Sequence, residues 1–153
     1  MIRREQATGA ASRALFGEYM ELVRERLGAG FVPAEEIFAT ERDFDGAGAA
    51  WLVLYDDDVA VACGGVRRLA PGIAEIKRMF VAAPARRRGH ARALLGELER
   101  LAAQDGCRRV RLYTTEVLRE ARALYSACGY RPVGVVAVDG RVDLWLEKAL
   151  APA

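Results

Sequence analysis

Apolar residues recur at helical spacing near the start of the chain: Leu15, Tyr19, Leu22, Val23 and Leu27 fall three and four positions apart, with Arg26 in the same stripe. That period predicts an amphipathic helix over 10–27, and Gly28 and Gly30 supply its stop. Pro33 suits the first turn of a second helix running to about Arg42, after which Asp45-Gly46-Ala47-Gly48 reads as loop. From Trp51 the period changes. Trp51–Tyr55 predicts a strand, Asp56-Asp57-Asp58 a turn, and Val59–Leu69 a second strand returning beside the first. Pro71-Gly72 turns the chain into a third strand, Ile73–Val81, closed by Pro84. Ala91, Leu94, Leu95, Leu98, Leu101 and Ala102 then restore the helical period over about 88–104, and Val110–Tyr113 alternates as a strand. Leu118, Ala121, Leu124, Tyr125 and Cys128 mark another helix, stopped at Gly129. Arg131–Val138 and Arg141–Leu146 flank Asp139-Gly140, a strong hairpin signal, and Ile2–Glu5 can add a short strand.

Meandering strands followed by a strand–helix–strand crossover predict an α/β (α+β) fold: a mixed sheet with helices on both faces. No repeat, linker or composition break divides the 153 residues, so one domain over 1–153 is expected. Hydrophobic residues at 52% and charged residues at 29% are the balance of a soluble globular chain. A net charge of +2 is too small to imply nucleic-acid binding. Arginine outnumbers lysine 21 to 2, which reads as codon composition, but three arginines stand together at Arg86, Arg87 and Arg88. Cys63, Cys107 and Cys128 are odd in number and widely spaced, against a disulfide framework or a zinc site and for a reducing compartment. Met1-Ile2-Arg3-Arg4-Glu5 opens no signal peptide, and nothing approaches the ~20 apolar residues of a membrane span. A cytoplasmic protein with no metal, nucleic-acid or membrane partner is expected.

The run Pro84-Ala85-Arg86-Arg87-Arg88-Gly89-His90-Ala91 leads from a strand directly into an amphipathic helix. The first turn of a helix carries unpaired N–H groups and partial positive charge, a ready site for phosphate oxygens. Gly89 removes the Cβ that would keep an anion away from the backbone, Ala91 is small, and the arginines add mobile charge. A solvated basic helix start would have the same composition.

Arg86-x-x-Gly89-x-Ala91 after a strand resembles the GNAT acetyltransferase signature, in which backbone amides hold the pyrophosphate of coenzyme A. Glu75-Ile76-Lys77-Arg78-Met79-Phe80-Val81 looks like that family's fourth strand, and Ala121-Arg122-Ala123-Leu124-Tyr125, followed by Gly129-Tyr130, is similar to its Ala-x-x-Leu-Tyr segment. Leu112-x-Thr114 and Trp145-x-x-Lys148 resemble a bacterial branch of small-molecule-type members, some fused to regulators for which this chain leaves no room. The resemblance spans about residues 50 to 148. It implies a mostly antiparallel sheet of six or seven strands with a central splay between strands four and five. It implies acetyl-CoA as cosubstrate, its pantetheine arm lying along Met79, Phe80 and Val81 and its phosphates on Arg86, Arg87, Arg88, Gly89, His90 and Ala91. His90 takes a motif position that offers its backbone, which argues against a general-base role for the only histidine.

The same resemblance offers Glu75 as general base, eleven residues before Arg86; the alternative is a strand glutamate paired with Lys77, which shares its face. Tyr125 matches the family's general acid, against a purely packed ring on the face of Ala121, Leu124 and Cys128. Arg122 either reaches a CoA phosphate or lies on the helix surface. Phe31 either lines the acceptor pocket or joins the core, and Arg78 or Arg67 either grips a substrate carboxylate or makes internal ion pairs. The expected reaction is acetyl transfer to the primary amine of a small molecule through a ternary complex, with a homodimer allowed. The alternatives are acetylation of a protein amine, which needs an open groove, and acyl-CoA sensing without turnover.

Overall fold

The computed structural model describes residues 1–28, 40–138 and 140–153. Its elements are β1 (Ile2–Glu5), α1 (Ala10–Leu27), a 3-10 turn (Thr40–Phe44), β2 (Ala50–Asp56), β3 (Val59–Ala70), β4 (Ile73–Val81), a second 3-10 turn (Ala83–Ala85), α2 (His90–Gln104), β5 (Arg109–Thr115), α3 (Arg119–Ala127), β6 (Arg131–Val138) and β7 (Arg141–Ala149). The expected second helix and Phe31 lie outside the described residues, except that Thr40–Phe44 is a 3-10 turn where the pattern had placed the end of that helix.

Seven strands form one sheet in the order β1-β2-β3-β4-β5-β7-β6, and every pairing is antiparallel except β4 with β5. The helical crossover through α2 creates that exception, because parallel neighbours need a long connection across a sheet face. Val138 pairs with Arg141, the strand register expected of a hairpin here. Two cores result, one on each face. Leu94, Leu95, Leu98 and Ala102 of α2 pack with Leu52, Leu54, Ala62, Val66, Ile76, Val110 and Leu112, and Tyr125 of α3 joins them. On the opposite face Leu15 of α1 packs with Trp51, Val53, Cys63 and Phe80, beneath Phe44 of the 3-10 turn. Trp51 Nε1–H donates to Ser12 Oγ at 2.8 Å, a buried pair that fixes α1 over β2. Gly65 permits the close seating of Phe44, since a Cβ there would lie 2.3 Å from the ring.

Candidate active site

β4 and β5 pair only from Ile73 with Arg109 to Ile76 with Leu112. Beyond that point β4 follows β3 and β5 follows β7, so the sheet opens into a V with walls 77–81 and 113–115. A bulge in β4 shapes the opening. Gly65 faces Lys77 and Cys63 faces Phe80, so Arg78 and Met79 together stand opposite Gly64. Arg78 takes φ +59°, a region costly for any side chain with a Cβ. Ala82 N–H bonds to Val61 O at 2.8 Å, so by alternation of bonding edges the amides of Val81 and Met79 face the opening.

The 3-10 turn at Ala83–Ala85 redirects the chain into the start of α2. Arg87 and Gly89 both take left-handed φ, +64° and +82°. The first backbone bond of the helix runs from Ala93 N–H to Gly89 O at 3.0 Å, which leaves the amides of the preceding turn directed outward. A Cβ on Gly89 would meet no atom within 4 Å, so open space lies against this backbone. That space belongs to a cavity of about 560 Å³ lined by Met79, Phe80 and Val81, by Arg86, Arg87, Gly89, His90 and Ala91, and by Ala121, Leu124 and Tyr125 across from them. Arg92 and Glu120, which the sequence pattern did not single out, line it too. Apolar walls ending in helix amides and arginine suit a long thiol-ended ligand with phosphates at its far end, so the residues fit coenzyme A.

The three arginines diverge. Arg86 Nε donates to Val81 O at 3.0 Å, with its guanidinium 5.8 Å from the Phe80 ring centre. Arg87 lines the cavity, whereas Arg88 turns to Asp56 at 3.4 Å and does not. Arg122 is exposed on α3 and is likewise absent from the lining. His90 Nε2 lies 3.5 Å from Asp56 Oδ2, near enough for an ion pair if protonated, but without the geometry of a hydrogen bond. Its place at the first residue of α2 makes its amide, more than its ring, the group presented to an anion.

Tyr125 both packs in the core and reaches the cavity wall. Its ring packs edge-on to Tyr130 with centroids 5.9 Å apart, and it also lines the 560 Å³ cavity. Burial first, then the neighbouring Tyr19 and Cys128, pushes its hydroxyl above the ordinary phenol range, so it is a protonated donor at neutral pH.

Behind the V, toward α1, lies a second cavity of about 200 Å³. Lys77 and Arg78 line it from β4, Tyr113 and Thr115 from β5, Asp143 from β7, and Tyr19 from α1. A small space of about 90 Å³ joins the two: it shares Tyr19 and Leu118 with the second cavity and Met79, Phe80, Arg86, Glu120 and Ala121 with the first. Tyr19 packs edge-on to Phe80 at 5.8 Å. Burial raises its pKa, with Arg78 opposing. Asp143 is 1% exposed and accepts a 2.6 Å hydrogen bond from Tyr113 Oη. Arg26 of α1 bonds Glu120 at 2.9 Å and Val117 O at 3.0 Å, tying α1 to the segment leading into α3.

Glu75 is buried beneath this region and lines none of the three cavities. Its Oε1 accepts from Arg67 Nε at 3.0 Å and lies 3.7 Å from Lys77 Nζ, while Asp43 stands 3.9 Å from both cations. Arg67 is thereby committed to internal pairing. Burial lowers the Lys77 pKa, with Glu75 as the main opposing attraction and Arg78 and Arg67 adding to the lowering. Cys63 is pushed up to about 12 by burial and is no thiolate nucleophile. Tyr19, Tyr113 and Asp143 were not singled out by sequence reasoning. Tyr19 was read as part of the apolar stripe of α1, and nothing local distinguishes Asp143 from any strand carboxylate.

Among the described residues no helix is long and apolar enough to cross a membrane, and no group of three or more His, Cys, Asp or Glu could hold a metal ion. The family model described as Acetyltransferase (GNAT) family matches residues 16–130, and the chain belongs to that family. A Xenopus tropicalis protein named "Probable N-acetyltransferase 14" is 34% identical over 85 residues, a stretch that is 55% of this chain and 41% of that relative's length. A Klebsiella pneumoniae structure described as a "putative acyl-CoA N-acyltransferase" superposes with a TM-score of 0.77 at 25% identity, covering 99% of this chain and 97% of that one. An aminoglycoside 6'-N-acetyltransferase in complex with coenzyme A gives 0.77 at 14% identity over 100% and 98%, a likeness of fold.

Proposed function

We propose that residues 1–153 form one acetyltransferase domain that moves an acetyl group from acetyl-CoA to the primary amine of a small molecule, by direct attack in a ternary complex. The observation that carries this reading is the junction at the V. A cavity ending in helix amides and arginine meets a smaller, side-chain-lined cavity through a space edged by Met79, Phe80 and Tyr19. The smaller cavity, about 200 Å³, lies below the about 300–1,000 Å³ of drug-sized ligand sites, which favours a small acceptor over a protein surface. Three free cysteines suit a reducing cytoplasm.

Bound acetyl-CoA supplies the activated acyl group: an N–C bond forms as the C–S bond breaks, and of the two protons the ammonium gives up in all, the thiolate takes one and solvent takes the other. The chain's residues do the rest. The Met79 and Val81 amides hold the pantetheine arm as an added strand would, and an amide in this stretch can stabilise the developing oxyanion. Val81 O is already engaged by Arg86, so that residue offers chiefly its N–H. The amides of Gly89, His90 and Ala91, with Arg86 and Arg87, bind the phosphates. Arg88 and Arg122 can reach them only after leaving their present positions. Tyr125 gives the thiolate its proton. Glu75, outside the cavities and held by Arg67, is better suited to position Lys77 than to take the amine's proton.

The test combines melting temperature with acetyl-CoA and thiol release with an amine panel. A ligand that binds only the native state raises its melting temperature. A rise together with amine-dependent release is expected. A rise without release from any amine would leave an acyl-CoA sensor, and no rise at millimolar acetyl-CoA would remove the coenzyme site.

A further inference from the structure

The space that joins the two cavities is where an acceptor amine would meet the thioester. Among the described residues, only Tyr19 and Leu118 line both that space and the acceptor cavity. Leu118 has no polar side-chain atom, so Tyr19 brings the hydroxyl common to those two walls. Arg86 and Glu120 also edge the joining space, but each is already held. Arg86 Nε donates to Val81 O, and Glu120 accepts from Arg26 through both oxygens, at 2.9 and 3.3 Å. The Tyr19 ring is set edge-on to Phe80 at 5.8 Å and lies close enough to Tyr125 to add to the rise of that phenol's pKa. Two phenols thus flank the junction, one from each cavity.

Arg78 hydrogen-bonds the Tyr19 hydroxyl and draws its pKa down, against burial, which raises it more. A guanidinium has only donors, so in that bond Tyr19 Oη accepts and keeps its own hydrogen to give elsewhere. The β4 bulge, with Arg78 at φ +59°, sets the guanidinium against α1, 5.8 Å from the centre of the Phe16 ring. An N–H donated into a hydroxyl polarises its O–H, and a cation behind that hydroxyl favours negative charge in front of it. During acyl transfer the atom that becomes negative is the thioester oxygen.

Resting on the acetyltransferase reading, we propose that Tyr19 is a catalytic residue whose O–H, polarised by Arg78, donates a hydrogen bond to the thioester oxygen as it becomes an oxyanion, beside a backbone amide of β4. As the N–C bond forms, the carbonyl π pair moves onto oxygen, and Tyr19 steadies that charge without losing its proton. When the pair returns, the C–S bond breaks and Tyr125 protonates the departing thiolate. Burial keeps Tyr19 protonated at neutral pH, the form this role needs.

The experiment measures kcat by thiol release with the amines that the wild type accepts, and the carbonyl stretch of bound, isotope-labelled acetyl-CoA by infrared difference spectroscopy. Tyr19→Phe keeps the ring against Phe80. It should lower kcat about 10²-fold with every such amine, move the carbonyl band to higher wavenumber, and leave the acetyl-CoA melting shift in place. Arg78→Met keeps the hydroxyl without its polarising donor; it should move both readouts the same way by less, and it carries the test if Tyr19→Phe fails to fold. In the double variant most of the Arg78 loss should vanish, because the guanidinium acts through the phenol. An unchanged kcat, or a carbonyl band that stays in place, overturns the role of Tyr19 while the acetyltransferase reading stands. A fall in kcat that comes with a lost melting shift reduces Tyr19 to a wall of the coenzyme cavity. No release from any amine overturns both readings, and the acetyl-CoA melting shift of the wild type then tells a sensor from a protein without the coenzyme site.

Discussion

The two cavities that meet at the V are assembled by different rules. The larger takes most of its wall from one contiguous run, Met79 to Arg92, and offers largely backbone: strand-edge amides, a left-handed glycine and the open end of a helix. The smaller draws its lining from α1, β4, β5 and β7, far apart in sequence. A site made of backbone tolerates many side chains and leaves a short local signature. A site made of side chains from four elements can change its ligand by one substitution and leaves none. The first suits an invariant cosubstrate and the second a variable acceptor.

The sharpest way to break this comparison is to fill the backbone site. Gly89→Trp should be tolerated by the fold, because a Cβ there meets no atom within 4 Å, at a cost of about 1–2 kcal/mol for a side chain at φ +82°. The indole would occupy the approach to the helix amides. At a ligand concentration of 100 times Kd the native protein gains about 2.7 kcal/mol. The variant should gain none, read as loss of the acetyl-CoA melting shift. A retained shift would place the phosphates away from this helix start.

Next in size is Tyr125→Phe, which removes one hydroxyl from the wall of the larger cavity and keeps the ring against Tyr130. General acid–base assistance is typically worth about 10²–10⁴ in rate. A phenol raised by burial is a weak acid and a thiolate already a fair leaving group, so a loss near tenfold is expected. Affinity for acetyl-CoA and melting temperature should hold. Wild-type turnover with lowered stability would make Tyr125 a core residue only.

The same contrast explains what could be read from the sequence. Helix α1 and strands β4 and β6 match their expected ranges because period, glycine and proline are local signals. Gly89, Tyr125 and the Met79–Val81 edge were legible because they sit in short motifs. The splay itself could be expected only through family resemblance. That Arg88 faces Asp56, that Arg86 holds Val81 O, and that Asp143 stands across from Lys77 depend on rotamers and strand register, which no local pattern encodes. Glu75 was ambiguous for the same reason. Its spacing suited a base and its period suited an ion pair, and only placement in three dimensions shows which partners surround its carboxylate.

The smallest expected effect sharpens that last point. Glu75→Gln should change turnover by less than about tenfold and leave the acid limb of the rate profile in place, whereas losing a general base costs about 10²–10⁴. Stability should carry the signature instead. Lys77 has a folded pKa below its unfolded one, and Glu75 opposes that lowering. Below the folded pKa both states are protonated, and the cost of the desolvated ammonium is fully present. As pH rises from the folded toward the unfolded pKa, the native state sheds its proton first, so this contribution gains stability with pH and then levels off. Removing Glu75 lowers the Lys77 pKa further and enlarges the cost at neutral pH. The stability gap between wild type and Glu75→Gln should therefore be widest near neutrality and narrow toward alkaline pH, measured by denaturant titration at several pH values. A gap that stays constant across pH, together with a vanished acid limb in turnover, would return Glu75 to the role of base.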